Sequence, residues 1–283
     1  MSAALVLTVV CLLALAVTTE VRRAPPAEAS HFRAAQLTWT RSGPTTAQFK
    51  STVSARRSFY GAPAVGATVS DLTFDFGDAT FATPPHTVVL VDVANDYLIA
   101  EATFSHTFPS AGPFTVRGDS CCRLSGPLHK NNPDGDIRAQ TLVDLAATTT
   151  SPVSSISPIV DCAAGQVCQF VVPAFDPDGQ SLRWRFATGT EAAKSVFVQP
   201  GPPQAPNAAA IDGSTGRFTW NTAGAVLNPT GPSFYSTQVV VENLVGTTVV
   251  ASTPVDFFVR LGAASSGTTS LSSSPRRRRR TGR

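Results

Sequence analysis

Apolar and polar residues alternate along most of this chain in runs of four to nine residues, and no segment carries apolar residues at a 3.6-residue period. In the first half the alternation predicts strands at Gln36–Thr40, Ala47–Ser54, Leu72–Phe76, Thr87–Asp92, Leu98–Phe104, Pro113–Val116 and Ile137–Leu145. In the second half it predicts strands at Gln166–Val172, Leu182–Phe186, Arg217–Trp220, Ser236–Glu242 and Val255–Leu261. The chain has 22 prolines and 20 glycines, enough to place a turn between every pair of runs. Many short strands joined by turns predict an all-β protein. With 283 residues the chain suffices for two domains of about 100 to 150 residues, each with its own core.

Composition divides the chain further. Thr148-Thr-Thr-Ser-Pro-Val-Ser-Ser-Ile-Ser-Pro158 reads as an extended Ser/Thr/Pro linker, so the expected organisation is a sandwich over 30–146, a linker over 147–158 and a second sandwich over 159–262. The seven strands of the first half make the complement of an immunoglobulin-like β-sandwich, and two such sandwiches in tandem are expected. Residues 263–283 are Ser-rich and then Arg-rich, which predicts a disordered tail. Ala3 to Val17 form an apolar run broken only by Thr8, of signal-peptide length and short for a membrane span. A secretory signal within 1–29 is expected, with cleavage after Ala14-Leu-Ala16 or Ala27-Glu-Ala29 and an uncleaved signal anchor as the alternative. No second segment is apolar enough to span a membrane.

The formal net charge of +3 is misleading, because Arg276 to Arg280 and Arg283 supply six of the 22 basic residues. Without them 16 basic residues face 19 acidic ones, a balance of −3, so the body of the chain carries no nucleic-acid footprint.

Two stretches in the first half carry a resemblance. Phe74-Asp75-Phe76-Gly77-Asp78, followed by His106-Thr107-Phe108, Gly112 and Phe114-Thr-Val116, resembles the paired motifs of PKD domains. Phe74 stands where that family has Trp, Ala79 where it has a second Gly, and Phe108 and Phe114 where it has Tyr. The residues also make local sense: Asp75 and Asp78 are suited to accept backbone N–H bonds in a turn, and Gly77 gives that turn its geometry. The resemblance implies a structural role for Asp75, Gly77, Asp78, His106 and Gly112. Arg117 to Asp136 depart from the family as a Cys-Cys and turn-rich insertion, which makes this the most individual segment and the expected contact surface for a partner.

In the second half Asp176-Pro-Asp-Gly-Gln-Ser-Leu182 and Ile211-Asp-Gly-Ser-Thr-Gly-Arg-Phe-Thr-Trp220 resemble cadherin-like and Ig-like bacterial modules. Asp176, Asp178 and Gln180 place three oxygen-bearing side chains at alternate positions, as does Asn132-Pro-Asp-Gly-Asp136, so calcium is the one cofactor with sequence support. Neither is an EF-hand loop. The twelfth position is Ala187 from Asp176 and Val143 from Asn132, where a bidentate Glu would be required. Simple turns are the competing reading of both clusters.

Once Cys11 is set aside with the signal, four cysteines remain. Cys162 and Cys168 bracket a short loop and are the preferred disulfide; Cys121 and Cys122 are adjacent, and either close on each other or reach another domain or chain. The scattered histidines support no zinc site. Ser120, in Gly118-Asp-Ser-Cys121, lacks a recognisable base and oriented carboxylate, and no hydrolase, Walker or dinucleotide motif occurs. Trp39, Trp184 and Trp220 sit in alternating strands, where core packing competes with sugar stacking. The expectation is a secreted or cell-surface, extracellular, non-enzymatic protein that acts in adhesion or ligand binding, with an extracellular protein or polysaccharide as partner. A passive spacer, or an accessory module of a larger secreted hydrolase, is the alternative.

Overall fold

A computed structural model describes residues 30–70, 72–147 and 149–262; the expected signal, Cys11 and the Arg-rich tail lie outside them. The first sandwich is built from β1 (Phe32–Arg41), β2 (Thr46–Arg56), β3 (Thr68–Val69), β4 (Thr73–Asp75), β5 (Phe81–Ala82), β6 (His86–Asp92), β7 (Tyr97–Thr107), β8 (Phe114–Ser120) and β9 (Ile137–Val143). The sheet β3-β6-β7-β2-β1 packs on the sheet β9-β8-β4-β5. Alternation explains which residues face inward: Leu37 and Trp39 from β1, Ala47, Phe49 and Val53 from β2, and Leu98 and Ala100 from β7 are all buried. Trp39 also ties the sheets together, because its indole Nε1 donates to the Leu142 carbonyl at 2.9 Å.

The second half contributes β10 (Val153–Ser154), β11 (Ile159–Ala163), β12 (Val167–Val171), β13 (Ala174–Phe175), β14 (Ser181–Phe186), a helical turn α1 (Gly189–Ala192), β15 (Ala210–Ile211), β16 (Arg217–Asn221), β17 (Ser233–Val245) and β18 (Thr248–Gly262). One sheet contains β14, β17, β18 and, parallel to β18, β11; the other is β12-β16-β15. Phe218, Trp220, Tyr235, Val239, Phe257 and Val259 fill the space between them. The Cys162–Cys168 disulfide joins β11 to β12, and therefore one sheet to the other. The protein is all-β, with two immunoglobulin-like sandwiches.

The halves are not beads on a string. β18 pairs with β17 along one edge, and on its other edge it meets β9 (Ala251 opposite Val143), then β1 (Gln36 opposite Val255), then β11. Both faces of β17 and β18 are consequently buried from Ser233 to Asn243 and from Val250 to Val259. The Ser/Thr/Pro stretch, expected to be an extended linker, is packed as well. Trp39 and Ser151 exchange bonds, Trp39 N–H to Ser151 Oγ at 2.8 Å and Ser151 N–H to Trp39 O at 3.0 Å, while Thr253 Oγ1 donates to Pro152 O at 2.6 Å.

Candidate functional site at the junction of the sandwiches

The paired motifs of the first sandwich converge on one turn. Between β4 and β5, Asp75 Oδ1 accepts the Gly77 N–H at 2.9 Å and Asp78 Oδ1 accepts the Thr80 N–H at 3.1 Å. Gly77 has φ +77°, and a Cβ there would stand 2.7 Å from the Thr115 carbonyl oxygen, so glycine is required on both counts. His106 on β7 reaches the turn through a 2.7 Å contact from Nε2 to Asp78 Oδ2, and its ring stacks on Phe76 at 3.9 Å. Partial burial would raise the Asp78 carboxyl, but the hydrogen bonds from Thr80 and His106 hold it below the ordinary carboxylate range. Gly112 (φ +109°) packs its backbone against Val143 O, where a Cβ would come within 2.9 Å. Asp75, Gly77, Asp78 and His106 thus staple a turn to a strand.

The insertion between β8 and β9 does more. Arg123 extends into the junction with its side chain fully buried and places Nη1 and Nη2 at 2.9 and 2.7 Å from the two carboxylate oxygens of Asp256 on β18. Its Nε donates to Asp136 O at 3.1 Å and Nη2 also to Ala192 O at 3.3 Å, while the guanidinium lies 4.8 Å from the ring centroid of Phe197. Gln238 Nε2 donates both to Asp256 Oδ2 at 3.1 Å and to Arg138 O at 2.8 Å. Burial pushes the Asp256 carboxyl up, against the opposing pull of Arg123 and Gln238.

A second network lies beside it. His129 Nδ1 faces the Leu124 carbonyl at 2.9 Å, an acceptor that fixes the proton on Nδ1 and leaves Nε2 to accept from Ser236 Oγ, also at 2.9 Å. Burial, and after it the Arg123 charge, lower the His129 pKa to about 3, so the ring is neutral. Asn131 Nδ2 donates to Val198 O and Ser236 O, and Asn132 both donates to Val198 O and accepts its N–H. Main-chain bonds from Lys130 N to Phe234 O and from Phe234 N to Leu128 O complete the join, and Leu124, Ile159, Phe234 and Phe258 cluster around it.

These contacts correct the expectation that the insertion is a partner-facing surface: most of its polar side chains are spent inside the chain. Asn132 serves the second sandwich, and Asp134 accepts from Ser30 and from Ser125. The other acidic turn is engaged similarly. Asp176 Oδ1 accepts the N–H groups of Asp178 and Gln180 at 2.8 Å each, Asp178 Oδ2 accepts the Thr150 N–H at 2.7 Å, and Gln180 Oε1 accepts from Thr149 Oγ1 at 2.8 Å. Among the described residues no three His, Cys, Asp or Glu side chains stand close enough to hold a metal.

Cys121 and Cys122 are joined to each other and directly precede Arg123. Trp39 and Trp220 are buried, and Trp184 is half-buried with its Nε1 bonded to Val172 O at 3.0 Å. Neither nearby histidine serves Ser120, since Asp78 holds His106 and the junction holds His129. Arg117, Gly118 and Asp119, an Arg-Gly-Asp tripeptide, lie in β8 between β4 and β9; Gly118 packs on Phe74, and Asp119 is bound bidentately by Arg138. Asp256 and Gln238 went unnoticed in the sequence; only Asp256 carried a signal, as a lone carboxylate in the apolar run Val255-Asp-Phe-Phe-Val259, where a buried polar side chain requires a partner.

Comparison with known proteins bears on the same region. Residues 33–146 match the family model of the N-terminal region of integrin beta-like proteins A to E. Integrin beta-like protein A of Dictyostelium discoideum is 28% identical over 252 residues, covering 82% of this chain and 12% of its own length. Integrin beta-like protein B of the same organism is 28% identical over 247 residues, covering 82% and 11%. The chain therefore spans about an eighth of the length of the curated relatives it matches, and the similarity runs through both sandwiches. The PKD resemblance rests on the motif residues alone. Among solved structures, the two tandem V-type regions of a v-region-containing chitin binding protein align over 81% of this chain at 11% identity with a TM-score of 0.35. The tandem Ig repeats of Dlar align over 82% at 11% identity with a TM-score of 0.24. Scores this low have no bearing on function.

No helix among the described residues is long and apolar enough to cross a membrane.

Proposed function

We propose that this chain is a non-enzymatic, extracellular recognition module of the adhesion type, in which two sandwiches are presented as one rigid unit. The observation that carries this reading is the buried Arg123–Asp256 pair with its flanking His129–Ser236 and Asn132–Val198 bonds. A buried pair of this kind adds little net stability compared with apolar packing, but it admits only one relative placement of the groups that form it. A fixed angle between sandwiches is useful to a protein that transmits force or holds two surfaces toward one partner. Similarity to integrin beta-like proteins supports the adhesion class, and the Cys162–Cys168 disulfide is in keeping with an oxidising compartment.

The test is attachment. Beads coated with the full chain are presented to cells of the source organism beside beads coated with heat-unfolded chain. Attachment that requires the folded chain is the expected result, and equal attachment of both bead types contradicts the reading.

A further inference from the structure

The outer face of β1, β2 and β7 forms the floor of a groove whose wall is the stretch from Thr150 to Pro158. Three cavities of about 400, 210 and 60 Å³ lie along it end to end: Thr38, Lys50 and Val153 line both the first and the second, and Gln36, Thr52 and Ile156 line both the second and the third. The floor is a ladder of cross-strand rungs, among them Thr38–Lys50–Thr103 and Gln36–Thr52–Glu101. Successive rungs are two residues apart on every strand, about 6.8 Å at the usual rise. We infer that this groove is a binding site for an extended, uncharged peptide segment of a partner protein, docked against the free backbone of Ser155 to Ser157.

Three observations select that occupant. An extended peptide repeats its side chains at the same spacing of about 6.8 Å, so alternate side chains meet successive rungs in register. The wall offers it main-chain partners: β10 pairs with β13 through Val153 and Ser154 only, and among the described residues Ser155, Ile156 and Ser157 make no backbone–backbone hydrogen bond. The Ser154 hydroxyl, buried at the same place, has no partner either. Addition of a strand to such a segment satisfies both chains. Charge points the same way, because the ionised side chains along the groove are already paired, Lys50 with Glu101 at 2.9 Å and Asp256 with Arg123. A charged ligand would find no uncompensated counter-charge among them. The inference rests on the reading of the chain as a recognition module and names the class of partner.

The test is selection of random phage-displayed heptapeptides on the immobilised full chain, followed by calorimetric titration of the selected peptides. Two variants accompany the native chain. Thr103→Trp fills the largest of the three cavities from an exposed strand position, and Ser155→Pro removes a main-chain N–H that makes no backbone–backbone hydrogen bond among the described residues. The expected result is selection of uncharged peptides whose affinity falls at least tenfold in both variants while their melting temperatures match the native chain; if Ser155→Pro unfolds, Thr103→Trp decides. Failure to select any peptide, selection of charged peptides, or equal binding to Thr103→Trp overturns the inference. Cellohexaose binding that Thr103→Trp abolishes, with no peptide bound, would also overturn it and assign the groove to a saccharide. Bead attachment that survives Thr103→Trp with no peptide selected would reject the groove and leave the recognition reading intact, whereas peptide binding without cell attachment would do the reverse.

Discussion

Arg123 and Asp256 are 133 residues apart in sequence and meet through two hydrogen bonds of 2.9 and 2.7 Å, with neither side chain exposed. One comes from a turn-rich insertion of the first sandwich and the other from the strand that both sandwiches share. Removal of either partner leaves the other charge buried and uncompensated in the junction. Arg123→Met and Asp256→Leu should each lower stability by about 3 to 5 kcal/mol, while the two combined should recover a large part of the loss. Denaturant unfolding of the two single variants and the double variant, read as a cycle, checks this; additive losses would contradict it.

His129 gives the junction a pH dependence whose sign follows from its environment. Its folded pKa of about 3 lies below the ordinary value of 6.5, so the unfolded chain binds the proton more readily. The stabilisation is therefore complete above about pH 6.5 and is lost as the pH falls toward 3, at about 1.4 kcal/mol per pH unit from this group. His129→Gln should be less stable than the native chain at pH 7, and the gap should narrow steadily on acidification to pH 4. Urea midpoints of both proteins across that range provide the check, and a constant gap would show that His129 is not held neutral.

Ala79 occupies a left-handed backbone conformation, φ +68°, at the position where the PKD resemblance would place glycine. Its Cβ costs about 1 kcal/mol there, partly offset by the greater freedom of glycine in the unfolded chain. Ala79→Gly should raise stability by up to about 1 kcal/mol, whereas Gly77→Ala two residues earlier should lower it by more, because its Cβ would meet Thr115 O at 2.7 Å. Thermal melts of the two variants should move in opposite directions.

The strands of the first sandwich were legible because one face of each sheet packs on the core and the other does not. Leu37 and Trp39 alternate with Gln36 and Thr38, and Phe49 with Gln48 and Lys50, as the pleat requires. β17 and β18 were legible as strands, but their burial on both faces was not, since Ser236, Gln238 and Asp256 look like solvent-facing residues when no partner is visible. Asn131-Asn132-Pro133-Asp134-Gly135 has the composition of an exposed turn. Yet Asn131 and Asn132 are buried, using the same amide groups to satisfy Ser236 and Val198 across the junction. Local preference specifies that an Asn will bond to a backbone; the sandwich whose backbone it meets is decided by contacts more than 60 residues away.

Because β18 joins both sandwiches into one sheet, they should unfold as a single body, which differential scanning calorimetry of the full chain reads out. A continuous sheet through β18 and a shared buried network predict one transition, with calorimetric and van 't Hoff enthalpies equal. The Arg123→Met variant should show that transition broadened or split. Two resolved transitions in the native chain, unchanged by Arg123→Met, would contradict the account and return the sandwiches to independent modules on a tether.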